Sequence, residues 1–305
     1  MSKILITGAL GAVGTPLWNL LKSRGHEVHG IDLRHSHLTN YDRCDISEYR
    51  QIEELFAAHK FDYVYHMAAE FGRVNGETYY EQLWKTNVMG TKHMLHLQER
   101  LKFRMIVFSS SEVYGDYPES MTEDVMDLHE IKQMNDYAIT KWVNEMQVLN
   151  STARFGTETV RVRLFNTYGP GEHYSPFRSV ICLFTYRALH NLPYTVYMGH
   201  TRTSTYIDDC VRALANICER FVPGEVYNIA AETYHDIKIL SDIVLKHTGR
   251  SESLVSYVHE ETHNTLHKKT NNKKVREHLG FETTVDLEEG IRRTIEWQKQ
   301  VYGVK

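Results

Sequence analysis

The chain has only four cysteines in 305 residues, Cys44, Cys182, Cys210 and Cys218, and no CxxC pair among them. That excludes a disulfide-stapled scaffold and a zinc centre on paired cysteines, and the four read as reduced core thiols of a cytoplasmic protein. No window approaches the ~18 consecutive apolar residues that cross a bilayer, so no membrane segment is expected. Charge of one sign is also lacking. Thirty-five Lys and Arg stand against 39 Asp and Glu, a formal −4, which gives no electrostatic reason to expect nucleic acid or an acidic membrane surface. The opening "MSKILITGAL" lacks a charged leader before an apolar run and reads as the first strand of a folded domain. There are 18 histidines, yet the close pairs His35/His37 and His263/His267 have no third ligand at a metal-site spacing, and no metal is predicted.

What is present is a regular alternation. "KILIT" (3–7), "EVHGIDL" (27–33), "DYVYHMAA" (62–69), "RMIVFSS" (104–110) and "ETVRVRLFN" (158–166) read as buried strands. Between them, helices are predicted over 16–25, 47–60 (capped by Ser47), 83–101 and 135–156. Strand and helix in this order predict an α/β fold, a doubly wound parallel sheet with helices on both faces. Residues 1–166 would be a dinucleotide-binding Rossmann domain and 167–305 mainly a smaller substrate-binding region. "EVYNIAA" (225–231) would return to the main sheet. The basic run "HKKTNNKKVREHLG" (267–280) reads as a solvated loop entering a helix rather than a nucleic-acid patch.

Gly8, Gly11 and Gly14 follow the first strand directly and open the first helix. A turn without Cβ atoms lets the backbone of 8–14, with Ala12 and Val13 between the glycines, and the helix N-terminus approach a pyrophosphate. Asp32 ends the second strand. A carboxylate there accepts ribose hydroxyls and repels a 2′-phosphate, which favours NAD, while Arg34 two residues on keeps NADP open. Asp45 and Ile46 are placed to meet the adenine ring.

Tyr137 and Lys141 lie four apart on a predicted helix and share a face. An ammonium beside the phenol would lower its pKa from about 10 toward neutrality, as would the positive ring of a nicotinamide. The product is a base able to take a hydroxyl proton while hydride leaves for NAD. The run "FSSSEVYG" (108–115) ends a strand with three hydroxyls and the carboxylate of Glu112. Glu112 is either a proton-handling group or an ordinary capping or surface carboxylate.

The motifs "TGALGAVG" (7–14), "HMAAE" (66–70), "KTNVMGT" (85–91), "SSSEVYG" (109–115), "YAITK" (137–141), "RLFNTYGPGE" (163–172) and "RTSTYIDD" (202–209) resemble the extended short-chain dehydrogenase/reductases, the nucleotide-sugar epimerases, dehydratases and decarboxylases. The resemblance implies cofactor contacts at Ala68, Ala69 and Asn87, and Ser110 as the hydroxyl partner of Tyr137. It implies Asn166 and Arg202 as ligands of the substrate diphosphate or nearby sugar oxygens. It also implies a homodimer through the helices at 83–101 and 137–154, with Val88, Met94, Leu95, Trp142, Val143, Met146 and Val148 as candidate contacts. Thymidine-sugar 4,6-dehydratases carry Asp-Glu where this chain has Ser111-Glu112. Ser-Glu is similar to UDP-glucuronate decarboxylases and also to GDP-mannose 4,6-dehydratases, which are generally longer and favour NADP, against Asp32. The stretch "EHYSPFRSV" (172–180), with His173 and Arg178, is similar to the decarboxylases. The expected activity is therefore transient C4 oxidation followed by decarboxylation, with 4,6-dehydration and 4-epimerisation as alternatives. A silent NAD-binding regulator would be expected to lack Tyr137 or Lys141.

Overall fold

Seven short strands, most of them continuously buried, form one parallel sheet in the computed structural model, which describes residues 1–259, 261 and 264–304. They are β1 (Lys3–Thr7), β2 (Glu27–Asp32), β3 (Tyr41–Arg43), β4 (Tyr63–His66), β5 (Arg104–Ser110), β6 (Thr159–Leu164) and β7 (Val226–Ile229). Their spatial order is β7-β6-β5-β4-β1-β2-β3, and each neighbouring pair is parallel. The direction of winding reverses between β1 and β4, and this switch point opens a crevice at the carboxyl ends of the strands.

Successive side chains point to opposite faces, and both faces are covered. Ile4, Ile6, Tyr65, Ile106 and Phe108 enter one core. Leu5, Ile31, Val64, Met105 and Val107 enter the other. This is why the strands read as unbroken apolar runs. The doubly wound fold expected from the sequence is present, and the late strand joins it as β7 beside β6. Strand β3 was not foreseen, because "YDR" is too short and polar to show a period. Helices at Val180–Leu189, Ile207–Glu219, Ile237–Thr248 and Leu287–Tyr302 send Phe184, Leu214, Leu240 and Ile291 into the same core as Ile4. The chain after residue 167 thus shares packing with the sheet.

Three helix expectations need adjustment. Helix α1 spans Gly14–Ser23. Helix α2 (Tyr49–Ala58) has no side-chain cap, because the Ser47 hydroxyl donates to Asp45 Oδ1 instead (2.7 Å). The helix expected over 83–101 starts at Tyr80 and passes through a π turn at Lys85–Met89 before α3 (Gly90–Leu101). Helix α4 (Asp136–Phe155) is capped by Asn135, whose Oδ1 accepts from the Ala138 amide (2.9 Å). Gly156 stops it with a left-handed φ of 64°. All four cysteines are buried and free. Among the described residues, no helix is long and apolar enough to cross a membrane.

Candidate active site

Beyond β1 the chain turns through Gly8, whose φ is 72° and where a Cβ would lie 3.0 Å from the Ala68 backbone. A Cβ on Gly14 would sit 2.3 Å from the Gly8 carbonyl oxygen, so α1 closes onto the turn only because no side chain is there. Gly8, Gly11, Ala12, Val13 and Gly14 line one end of a cavity of about 690 Å³, a volume suited to a cofactor-sized ligand. Asp32, Asp45, Ile46, Ala68 and Ala69 continue the same wall. Asp32 accepts from the Leu10 amide (3.1 Å) and holds Arg34 Nε at 3.4 Å. Arg34, which kept an NADP reading open, is thereby engaged by the carboxylate and is not among the lining residues. The cleared turn and the carboxylate at its far end fit the pyrophosphate and ribose of NAD.

Asn87 differs from the expectation. It does not line the cavity but lies buried in the π turn, accepting from the Glu70 amide (2.9 Å) and donating to the Glu70 carbonyl (3.0 Å). It acts on the cofactor wall by fixing the backbone that follows Ala68 and Ala69.

Helix α4 brings Tyr137 and Lys141 to the end of β5, where Ser110, Ser111 and Glu112 lie. Burial pushes the Tyr137 phenol up to about 12, the Ser110 hydroxyl acts against that rise, and the Glu112 charge adds to it. Lys141 Nζ donates to the Phe108 carbonyl (2.8 Å) and stands 5.8 Å from the centre of the Tyr137 ring. Burial holds this ammonium down to about 8, Glu145 opposing. The lowering of the phenol by Lys141 expected from the sequence is therefore not seen in the protein alone, where burial outweighs it and the ammonium donates a hydrogen bond to the Phe108 carbonyl instead. A nicotinamide bound beside the phenol would add positive charge that opposes this rise.

Behind this pair lies a buried ion cluster. Glu145 of α4 accepts from Arg163 at 2.9 and 2.8 Å, from Arg161 at 3.1 Å and from the Ser109 hydroxyl at 2.5 Å. The two arginines stand on β6, so the cluster ties the catalytic helix to the sheet. Sequence reasoning passed over Glu145, because a helical glutamate usually faces water.

A larger correction concerns the basic run. Lys268 is 1% exposed, and its ammonium pairs with the Glu112 carboxylate. Its backbone amide donates to the Thr201 carbonyl (3.1 Å), which pins the segment across the cavity. The neighbouring Lys274 bonds Glu225 (2.9 Å). Composition cannot separate Lys268 from its solvated neighbours. Burial would raise the Glu112 carboxyl, but Lys268 and then Arg202 outweigh it and hold the group below the usual carboxylate value. Burial likewise lowers Lys268.

Asn166, Arg178 and Arg202, expected from the sequence to hold substrate, also line the cavity. Arg202 donates to neutral acceptors, the Thr201 and Leu266 carbonyls (both 2.9 Å) and Asn264 Oδ1 (3.2 Å). Arg178 lies over the Phe71 ring at 4.2 Å, and its Nε is buried without a partner among the described residues. Both guanidinium groups thus retain charge for an anion. His173, in the same stretch as Arg178, packs against Trp297 (5.2 Å between ring centres). Of the histidine pairs, His35 and His37 are exposed, His267 bonds Thr201 Oγ1 (2.8 Å), and His263 lies outside the described residues.

Residues 4–230 match the model of the NAD dependent epimerase/dehydratase family. The chain belongs to that family. It is 30% identical to UDP-glucuronic acid decarboxylase 1 of Xenopus tropicalis, over 97% of this chain and 72% of the relative. It is 27% identical to a dTDP-glucose 4,6-dehydratase of Streptomyces niveus, over 97% of this chain and 93% of the relative. The epimerase Mth375 of Methanothermobacter thermautotrophicus superposes with a TM-score of 0.90 at 25% identity, covering 99% of this chain and 93% of that one. As in the family, NAD is the cofactor, and the crevice from Gly8 to Asp32 is where it fits.

Proposed function

We propose that this protein is an NAD-dependent nucleotide-sugar enzyme that decarboxylates a nucleoside-diphosphate hexuronate of the UDP-glucuronate type. The observation that carries the reading is Glu112, kept ionised by Lys268 and Arg202 beside Tyr137. Bound NAD would supply hydride acceptance at C4 and its later return. Tyr137 takes the C4 hydroxyl proton, with the Ser110 hydroxyl favouring the ionised phenol and Lys141 supplying positive charge behind it. A ketone at C4 makes the substrate a β-keto acid. The C5–C6 bond then breaks, its electron pair enters the ketone as an enolate, and carbon dioxide leaves without needing a proton. Lys268, whose ammonium is made more acidic by burial, and Glu112 are placed to handle the proton that C5 then requires. Arg178 and Arg202 hold the diphosphate and the carboxylate.

Dehydration is disfavoured by the same chemistry. Hydroxide leaves only with a proton, position 111 is serine, and an ionised Glu112 has no proton to give. Epimerisation requires no carboxylate held by cations at this place. Glu112→Gln is expected to spare C4 oxidation and stop the later step. Mixed with UDP-glucuronate and NAD, the variant should accumulate NADH absorbance while product formation falls about a hundredfold or more. Full turnover by this variant would remove the lyase reading.

We also infer a homodimer. Trp84 and Met89, with Ile139, Met146 and Leu149 of α4, remain between 36% and 49% exposed, an apolar stripe suited to a second copy. Met94, Leu95 and Val148, candidate contacts from the sequence, are core residues instead. Met146→Asp is expected to halve the mass measured by light scattering, and an unchanged dimer would rule out this face.

A further inference from the structure

His29, Asp42 and His59 come together on the far edge of the sheet, away from the reacting groups. Strands β2 and β3 pair so that Ile31 stands opposite Asp42, and His29, two residues before Ile31, shares its face of the sheet. His59 follows α2 immediately and reaches the same place. One ligand atom from each residue lies within 4.8 Å of the others, and His29 Nε2 is 2.7 Å from Asp42 Oδ2. Four-coordinate zinc with bonds of about 2.0 Å holds its ligand atoms roughly 3.3 Å apart. The His29–Asp42 distance is shorter than that value and the other separations do not exceed 4.8 Å, so modest side-chain shifts suffice. With 13 and 17 residues between the three positions, no metal-site spacing marks them along the chain.

We propose that His29, Asp42 and His59 form a binding site for one borderline divalent metal ion, Zn²⁺ foremost, on each chain. Two imidazoles and one carboxylate are a donor set that suits zinc and leaves a fourth position for water. The rings are fixed in place. His29 and His59 stand 4.6 Å apart between centres, and Phe61 packs on them at 5.9 and 6.0 Å. Helix α2 ends at Ala58, which places the negative end of its dipole beside the site and favours a cation. A cleft bordered by Asp42, Glu54 and His59 provides an entry path. Binding displaces the proton shared by His29 and Asp42. The ion would tie β3 to β2 and α2, just ahead of Cys44 and Asp45 at the adenine end of the cofactor crevice. This inference does not depend on the decarboxylase reading.

The test is a calorimetric titration of chelator-treated, full-length protein with Zn²⁺. Wild type is compared with His59→Ala and Asp42→Asn, two side chains accessible enough to be changed without opening the core. One Zn²⁺ per chain is expected, with affinity reduced about tenfold or more in each variant. Zn²⁺ should also raise the wild-type melting temperature but not that of the variants. No uptake by the wild type would overturn the proposal. So would uptake that both variants retain, because the ion would then sit on other histidines.

Discussion

Tyr137→Phe is expected to lower turnover by about a thousandfold, within the range for losing a positioned acid–base group, while NAD binding stays within roughly twofold of wild type. The substitution removes one oxygen. It leaves the Gly8–Gly14 turn, Asp32 and the Lys141–Phe108 bond in place. What disappears is the atom that receives the C4 hydroxyl proton, so C4 oxidation and everything after it should stop together. The check is NADH absorbance after mixing with substrate, with NAD affinity measured separately by calorimetry. Absence of any NADH signal separates this variant from Glu112→Gln, which should accumulate it. Normal turnover would place the base elsewhere.

Glu145→Leu should produce the largest loss of stability. The carboxylate is fully buried and holds Arg163, itself 1% exposed, and Arg161. Removing it leaves guanidinium charge in the interior with no counter-charge, which costs about 3–5 kcal/mol. For a chain of this size that corresponds to a fall in melting temperature of roughly 5–8 °C. The loss should also reach the site, because Tyr137 and Lys141 stand on the helix that Glu145 anchors. Glu145→Gln keeps an acceptor oxygen but not the charge, and should fall between the two. Thermal denaturation of the three proteins measures this directly, and an unchanged midpoint for the leucine variant would show that the cluster does not secure the helix.

Legibility from the sequence differed by element, for physical reasons. Buried parallel strands are continuous apolar runs, so β1, β2, β4, β5 and β6 were readable, and glycines between a strand and a helix marked the cofactor turn. Tyr137, Lys141, Ser110 and Glu112 were readable as types in order along the chain. Long-range pairing was not. Lys268 and Glu112 are 156 residues apart and meet only through the fold, and Glu145 gains its role from arginines on a neighbouring strand. Tyr137 shows the same limit in another form. Helical spacing places Lys141 on the right face but says nothing of the hydrogen bond its ammonium donates to the Phe108 carbonyl on another element. Asn87 was placed among the cofactor ligands by motif, whereas the π turn directs it to the Glu70 backbone.

The most direct measurement is to incubate the purified protein and NAD separately with UDP-glucuronate, dTDP-glucose, GDP-mannose and UDP-glucose, and to follow each by mass spectrometry. Loss of about 44 mass units from UDP-glucuronate, the mass of carbon dioxide released by the C4-ketone chemistry, is the expected result, with the three neutral hexoses unchanged. Loss of water from a neutral hexose, or a new isomer of unchanged mass, would contradict it.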